Sequence, residues 1–274
     1  MTVFVLLLVI AGFGAGVVTG LAGASAATIV TPIMSIFGGV AAYTAITLAL
    51  FTDVFASAAS AYTFWKNGNI NFKKGMFLSI FVVAGSIFGS YLSTFVDSSA
   101  LGSLSVVMIV LISINFLRKA NRMEKEDKGL IEKKEVKTVS PKIQTPAIII
   151  SGLFVGFICG FVGAGGGLMI LLILSSILGL DTKTGVGTSV LVMTFTALAG
   201  GIAHLPSVLT NPEYALPHSF NLGIAIIICG IFGIIGAKIA AKFANQTKEY
   251  NLLRIVAVTF LILVGSSLLR MFLV

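Results

Sequence analysis

The sequence predicts an all-α polytopic membrane protein made of two inverted five-segment repeats, with short broken or re-entrant helices and eight to ten membrane segments in all. Three observations support this prediction. Only 10% of the 274 residues are charged, against roughly 25% in soluble domains. Long charge-free stretches separate the charges, and the pattern of the first half of the chain recurs in the second half. Since 57% of the residues are hydrophobic and mean hydropathy is +1.07, a soluble domain and a nucleic-acid-binding protein are excluded.

The charge-free stretches are long enough for membrane crossings. A helix needs about 20 apolar residues to cross the hydrocarbon core, and residues 1–52 and 143–180 contain no charge. No Lys or Arg precedes the first apolar run, so Met1–Gly20 is interpreted as a membrane segment rather than a signal peptide. The pattern predicts ten segments: 3–22, 26–38, 41–64, 75–96, 99–117, 147–162, 166–179, 185–205, 219–241 and 252–273.

The internal repeat defines the domains. Four glycines recur in the same register in the second half, so that Gly12, Gly16, Gly20 and Gly23 match Gly152, Gly156, Gly160 and Gly163, each pair differing by 140 in residue number. We therefore predict a first membrane repeat at 1–117, a charged linker at 118–146 and a second membrane repeat at 147–274. Because five segments is an odd number, the second repeat is expected to be inverted relative to the first, an architecture typical of secondary transporters.

The basic residues predict the orientation in the membrane. Residues 118–142 carry nine Lys and Arg, which favours a cytoplasmic linker. Tracing the segments outward from that linker puts 17 of the 18 basic residues on the cytoplasmic side, with Arg270 as the exception. The sequence thus predicts an integral protein of a prokaryotic plasma membrane with both termini outside.

The second segment of each repeat is short and follows a glycine-rich break, at residues 20–25 and 160–167. Short, interrupted segments at matching positions of two repeats indicate a transport site. Backbone N–H groups are free at such a break, and the following helix begins there with its positive dipole end. Two breaks that face one another could therefore bind a small anion without a buried Lys or Arg.

Close helix packing is the competing interpretation, because small residues at four-residue spacing let membrane helices approach. We favour packing for the earlier glycines and a binding site for the stretches that follow them, since a run of glycines destabilises a helix. Hydroxyls at the start of the third segment of the second repeat are further ligand candidates, although such hydroxyls often bond their own backbone. The candidate substrate-binding residues are Gly23, Ala24, Ser25, Ala26, Thr28, Gly163, Ala164, Gly165, Gly166, Gly167, Thr188 and Ser189.

Two titratable residues are candidates for coupling transport to an ion, possible carriers of H⁺. Asp53 is the one acid well inside an apolar segment, and an intramembrane acid is a functional candidate by default. Alternatively, Asp53 has a structural role and is hydrogen-bonded to a neighbouring helix. His204 could also titrate, but its position beside Pro206 favours an ordinary histidine at a loop margin or an interface.

No catalytic or metal motif is present, so we expect neither an enzyme nor a cofactor. The sequence contains no HExxH, no GxSxG and no CxxC. The expected partners are a small anion, the lipid bilayer and a coupling ion, without nucleic acid; the oligomeric state is not predicted.

Residues 152–175 and 181–205, and in the first half residues 12–39 and 67–72, resemble the TauE/SafE sulfite exporter family, also called domain of unknown function 81. The resemblance covers nearly the whole chain outside the linker. It implies a permease for sulfite, sulfoacetate or a related organosulfonate, driven by an ion gradient. Two alternatives stay open from the residues alone: a cation or metal permease that uses Asp53, and a membrane module that assembles with a partner without transporting.

Overall fold

The structure, a computed structural model, describes residues 1–130, 141–163 and 166–244, followed by ten positions of the last segment (248, 250, 251, 254, 255, 257, 258, 261, 262 and 265). Over these residues the fold is helical, without a β-strand. The helices are α1 (Thr2–Ala22), α2 (Ala27–Pro32), α3 (Ala42–Lys66), α4 (Phe72–Ser93), α5 (Ser98–Asp127), α6 (Pro141–Val162), α7 (Gly166–Ser176), α8 (Thr182–Thr210) and α9 (Leu222–Ala244). A π-helical turn, Ile33–Phe37, continues α2, and two 3₁₀ turns, Pro212–Tyr214 and Pro217–Ser219, connect α8 to α9.

Six helices of the described part are long and apolar enough to cross a membrane, namely α1, α3, α4, α6, α8 and α9. This confirms the all-α polytopic fold class. The two short segments are also found, as apolar helices over Ala27–Phe37 and Gly166–Ser176. Eleven residues extend about 16 Å at 1.5 Å per residue, roughly half the thickness of the hydrocarbon core, so neither short helix can cross it alone.

Two regions differ in extent from the sequence prediction. Helix α5 continues ten residues past the expected end of its segment, into the charged linker, and ends at Asp127. There its last turns pair with the basic residues that follow α9: Arg254 with Glu124, and Lys248 with Asp127. Lys128, together with Arg254, lowers the pKa of Glu124 to about 2 by hydrogen bonding to its carboxylate. The tenth predicted segment, 252–273, lies mostly outside the described residues.

Each repeat packs its first helix against the fourth helix of the other repeat. Helix α1 lies against α9, and α6 lies against α4. Glycines form both contacts: Gly16 meets the backbone of Gly233 and Ala237, while Gly156 meets that of Val82. The two glycines, Gly16 and Gly156, differ by 140 in residue number, and the residues that they contact, Val82 and Gly233, differ by 151. The two interfaces are therefore equivalent, and the second repeat has eleven more residues than the first between its first and fourth helices.

The third helices of the two repeats, α3 and α8, pack against each other at the centre of the molecule. They run antiparallel, because early residues of one lie beside late residues of the other. The rings of Tyr43 and His204 are in tilted contact with centroids 4.6 Å apart. Farther along the pair, the hydroxyls of Ser57 and Thr194 lie 2.8 Å apart. Large apolar side chains on the outer faces of α4, α6 and α9, such as Phe88, Phe154 and Ile231, are exposed, as in a lipid-facing surface.

Candidate functional site

Gly23 and Gly163, at matching positions of the two glycine-rich breaks, have the same left-handed φ. Helix α1 ends at Ala22 and Gly23 follows with φ +66°; helix α6 ends at Val162 and Gly163 follows with φ +65°. This left-handed conformation favours glycine and commonly ends a helix. The next helices, α2 and α7, begin at Ala27 and Gly166, so each predicted break contains a helix end at the matching glycine.

The structure brings the two breaks together. A Cβ added at Gly167, in the first turn of α7, would collide with the carbonyl oxygen of Gly23. Each break also packs against the third helix of the opposite repeat: Gly163 against Ile46 of α3, and Gly23 against Val186 of α8. Because Ile46 and Val186 are related by the same offset as the repeated glycines, the two contacts are equivalent. Glycine is needed here for close approach.

Asp53 of α3 lies directly at the first break. Its side chain is only 2% exposed. The Ala26 N–H donates a hydrogen bond of 2.6 Å to its Oδ1, and the Ser25 hydroxyl donates one to its Oδ2. The Ala27 N–H in turn donates to the Ser25 oxygen at 3.1 Å. The donors at the start of α2 therefore converge on a carboxylate supplied by the protein itself.

A small cavity lies between Asp53 and the second break. Its volume is about 10 Å³, enough for roughly one water molecule. It is lined by residues from both repeats: Ser25, Leu50, Asp53, Cys159, Gly163, Gly166, Ile170, Met193, Thr196 and Ala197. An anion the size of sulfite needs more room than this, so the cavity as described does not hold one.

The predicted substrate-binding residues occupy several environments. Ser25, Gly163 and Gly166 line the cavity. Thr28 is the second residue of α2, and its hydroxyl donates to the Ser25 carbonyl oxygen at 2.6 Å, which stabilises the first turn of that helix. Ala24 and Ala26 are fully buried beside these groups. Ala164 and Gly165 lie outside the described residues.

Thr188 and Ser189, which we predicted as ligand candidates, face other contacts. The Thr188 hydroxyl accepts a 2.9 Å hydrogen bond from the backbone N–H of Asn71, in the loop between α3 and α4. The Ser189 hydroxyl donates to the Val186 carbonyl oxygen at 2.9 Å and lies next to Gly23. Thr188 thus anchors a loop, and Ser189 borders the first break without lining the cavity.

His204 lies within α8, which continues through Pro206 to Thr210, so it does not occupy a loop margin. The side chain is fully buried, with its Nε2 2.9 Å from the carbonyl oxygen of Gly160. It lies eight residues beyond Thr196, about 12 Å farther along the helix from the cavity. The two coupling candidates are therefore separate, and only Asp53 borders the cavity.

Several cavity residues were not predicted, among them Cys159, Met193 and Thr196. Met193 occupies the position equivalent to Asp53 in the second repeat, so the offset between the repeated glycines could have identified it. Cys159 lies one residue before a repeated glycine, a signal that by itself does not separate a lining residue from a packed one. Among the described residues, no group of three or more His, Cys, Asp or Glu side chains is close enough to hold a metal ion.

Comparison with known proteins gives consistent matches over most of the chain. The family model of the sulfite exporter TauE/SafE matches residues 8–268. Similar proteins include YdhB of Bacillus subtilis (strain 168), named a probable membrane transporter protein, which is 28% identical over 240 residues, or 88% of this chain and 90% of YdhB.

Two further relatives carry the same kind of name. YunE of Bacillus subtilis (strain 168), a probable membrane transporter protein, is 26% identical over 96% of both chains. MJ0441 of Methanocaldococcus jannaschii, also named a probable membrane transporter protein, is 29% identical over 86% of this chain and 88% of its own. No solved structure has a significant match to the chain.

Proposed function

Because the chain belongs to the sulfite exporter TauE/SafE family, we propose that it is a membrane permease that moves a small sulfur-containing anion such as sulfite, sulfoacetate or another organosulfonate. The family and the names of the relatives indicate a transporter rather than an enzyme. The six apolar helices are those of an integral membrane protein.

The observation that carries the choice of an anion is the hydrogen bonding at the first break. The Ser25 hydroxyl and the Ala26 N–H both donate to the buried carboxyl group of Asp53, so this part of the chain already binds a group with two acceptor oxygens. A sulfite or sulfonate group offers the same kind of acceptor. Hydrogen bonds to charged groups are the strong ones in such sites, and no basic side chain is required.

The inverted arrangement of the repeats fits alternating access around this site. Antiparallel packing of the equivalent helices α3 and α8 supports repeats of opposite orientation, separated by the linker at 118–146. The excess of basic residues in the linker supports its location on the cytoplasmic side of the plasma membrane. Both termini then lie outside. Movement of one repeat against the other would open the cavity first to one side and then to the other.

A cation or metal permease that uses Asp53 is the alternative. Protein donors take two of the roughly four acceptor sites of the Asp53 carboxylate, and no second carboxylate lines the cavity among the described residues. The thiol of Cys159 and the thioether of Met193, which also line the cavity, are soft ligands, whereas hard cations prefer several oxygen ligands. The geometry therefore favours an anion.

Transport by the purified protein in liposomes tests the proposal. We expect saturable uptake of radiolabelled sulfite and of ethanesulfonate, absent from protein-free vesicles, and competition from sulfoacetate. Ser25→Ala should weaken anion binding by about 10-fold or more, because a hydrogen bond to a charged group contributes about 1.5–3 kcal/mol.

Ser79→Ala is the matched control. Ser79 is a buried serine of α4 whose hydroxyl donates to the Gly75 carbonyl oxygen of its own helix, and it does not line the cavity. Equal anion affinity in the two variants would show that the first break does not bind the anion. Uptake of divalent cations instead of anions would overturn the proposed substrate class.

A further inference from the structure

The carboxylate of Asp53 accepts the hydrogen bonds from Ser25 and Ala26 that the proposed anion would need. We propose that Asp53 and the transported anion accept hydrogen bonds from these donors in turn. A proton must then bind Asp53 before the anion can occupy the first break. Proton and anion therefore cross the membrane together. The inference rests on the proposed anion site and adds its coupling ion and stoichiometry.

Hydrogen-bond capacity makes the two occupants exclusive. A serine hydroxyl has one proton to donate, and so does a backbone N–H. In the structure the Ser25 hydroxyl and the Ala26 N–H are both directed at Asp53. An anion at the first break can receive these hydrogen bonds only after Asp53 has released them.

Charge makes protonation the natural release step. A second negative charge beside an ionised, buried Asp53 would be repelled strongly, because the interior screens charges poorly. A proton taken from water on the open side forms an O–H bond on the carboxyl group and makes the group neutral. A neutral carboxyl is a weaker acceptor than a carboxylate, so the charged anion takes over the two donors.

Among the described residues around Asp53, no second carboxyl group is found. Among the described cavity residues, which come from both repeats, Cys159 of α6 is the one other titratable side chain. Helix α9 packs against the same part of α3 and contributes Cys229, whose thiol donates to the Leu8 carbonyl oxygen. In the second repeat Met193 stands where Asp53 stands in the first. One proton should therefore accompany each anion.

Binding to the unmodified protein is the first test. Ethanesulfonate is a suitable probe, because its own charge stays at −1 between pH 5 and 8. Its Kd should rise with pH by up to about tenfold per unit once Asp53 is ionised, and binding in weakly buffered solution should take up protons. A Kd independent of pH, without proton uptake, would overturn the inference.

Transport by Asp53→Asn is the second test. In liposomes, the unmodified protein should accumulate ethanesulfonate about tenfold per pH unit of an acid-outside gradient, and an imposed membrane potential should have little effect, since the cotransported pair is neutral. The asparagine variant, which cannot take up the proton, should still exchange ethanesulfonate across the membrane. It should no longer accumulate the anion in response to the pH gradient, and its transport should now respond to the potential.

Asp97→Asn is the matched control, an acid-to-amide change at the exposed residue that precedes α5, and it should behave as the unmodified protein. Accumulation driven by the pH gradient in Asp53→Asn would refute proton coupling by Asp53. If that variant does not fold, the pH dependence of Kd in the unmodified protein decides. Absence of any sulfite or sulfonate binding would refute the proposed function, and the inference with it; pH-independent transport would refute the inference alone.

Discussion

Replacing Gly12 with alanine should force α1 away from α9. A Cβ at this position would lie 2.6 Å from the carbonyl oxygen and 2.7 Å from the Cα of Cys229. Ordinary contacts begin at 3.4 Å, which leaves a shortfall of about 0.8 Å. Both opposing atoms belong to the backbone of α9, so a change of rotamer cannot relieve the overlap and the helices themselves must separate.

The cost follows from tight packing along this pair of helices. A gap of 0.5–1 Å forfeits about a quarter to a half of each dispersion contact, and overpacking typically costs about 1–3 kcal/mol. Alanine recovers about 0.4–1 kcal/mol because it restricts the unfolded chain. Because both opposing atoms are backbone, the overpacking cost should lie at about 2–3 kcal/mol, which leaves a net destabilisation of about 1–2.6 kcal/mol and a decrease in Tm of about 2–10 °C.

Gly14→Ala is the control, because it lies two residues away on the same helix. There a Cβ would approach only a side-chain methyl group of Ile29, at 3.2 Å, which can move by a few tenths of an ångström. Thermal unfolding of both variants in detergent, followed by circular dichroism, should show Gly14→Ala at or above the unmodified Tm and Gly12→Ala below it. Equal Tm values would refute the argument that glycine sets the separation of α1 and α9.

Two further predictions concern the ends of the helices. Glu124 has a lowered pKa of about 2, so its pairing with Lys128 and Arg254 stabilises the fold above the ordinary carboxyl pKa. This stabilisation is lost as pH falls from about 4.5 towards 2. Between pH 5 and 3, Tm should therefore decrease less in Glu124→Gln than in the unmodified protein, and parallel curves of Tm against pH would contradict this. Thr188→Val should lower the free energy of unfolding by about 1–3 kcal/mol, because it leaves the Asn71 N–H without its acceptor. Thr188→Ser keeps the hydroxyl, so its Tm in thermal unfolding should lie between those of Thr188→Val and the unmodified protein.

Much of the helical framework could be predicted from the sequence, because it depends on local properties. A charge-free run of sufficient length forms a helix in a bilayer, where each backbone group must be satisfied within its own segment. Glycines at matching positions, such as Gly23 and Gly163, indicated the breaks, and both adopt the left-handed conformation that glycine tolerates best. Helix α5 was predicted too short, since hydropathy falls after residue 117 while its helical hydrogen bonds continue.

The site was only partly predictable. Asp53 was recognised as unusual because it is an acid in an apolar segment, but its partners are 27 and 28 residues away. Thr188 was a reasonable ligand candidate by residue type, yet its hydroxyl anchors the loop at Asn71. His204 was placed beside a loop because Pro206 follows it, whereas the helix continues past that proline.

The sequence by itself therefore determined the membrane class, the repeat and the position of both breaks, since hydropathy, charge and backbone freedom act over a few neighbouring residues. Only the tertiary structure decided that the breaks meet, that the Ser25 hydroxyl and the Ala26 N–H donate to Asp53, and that Met193 lines the same cavity. These contacts join residues far apart in the chain, and their geometry depends on how closely glycine lets the helices cross. The same close packing that lets the two repeats approach puts a carboxylate where an anion would bind.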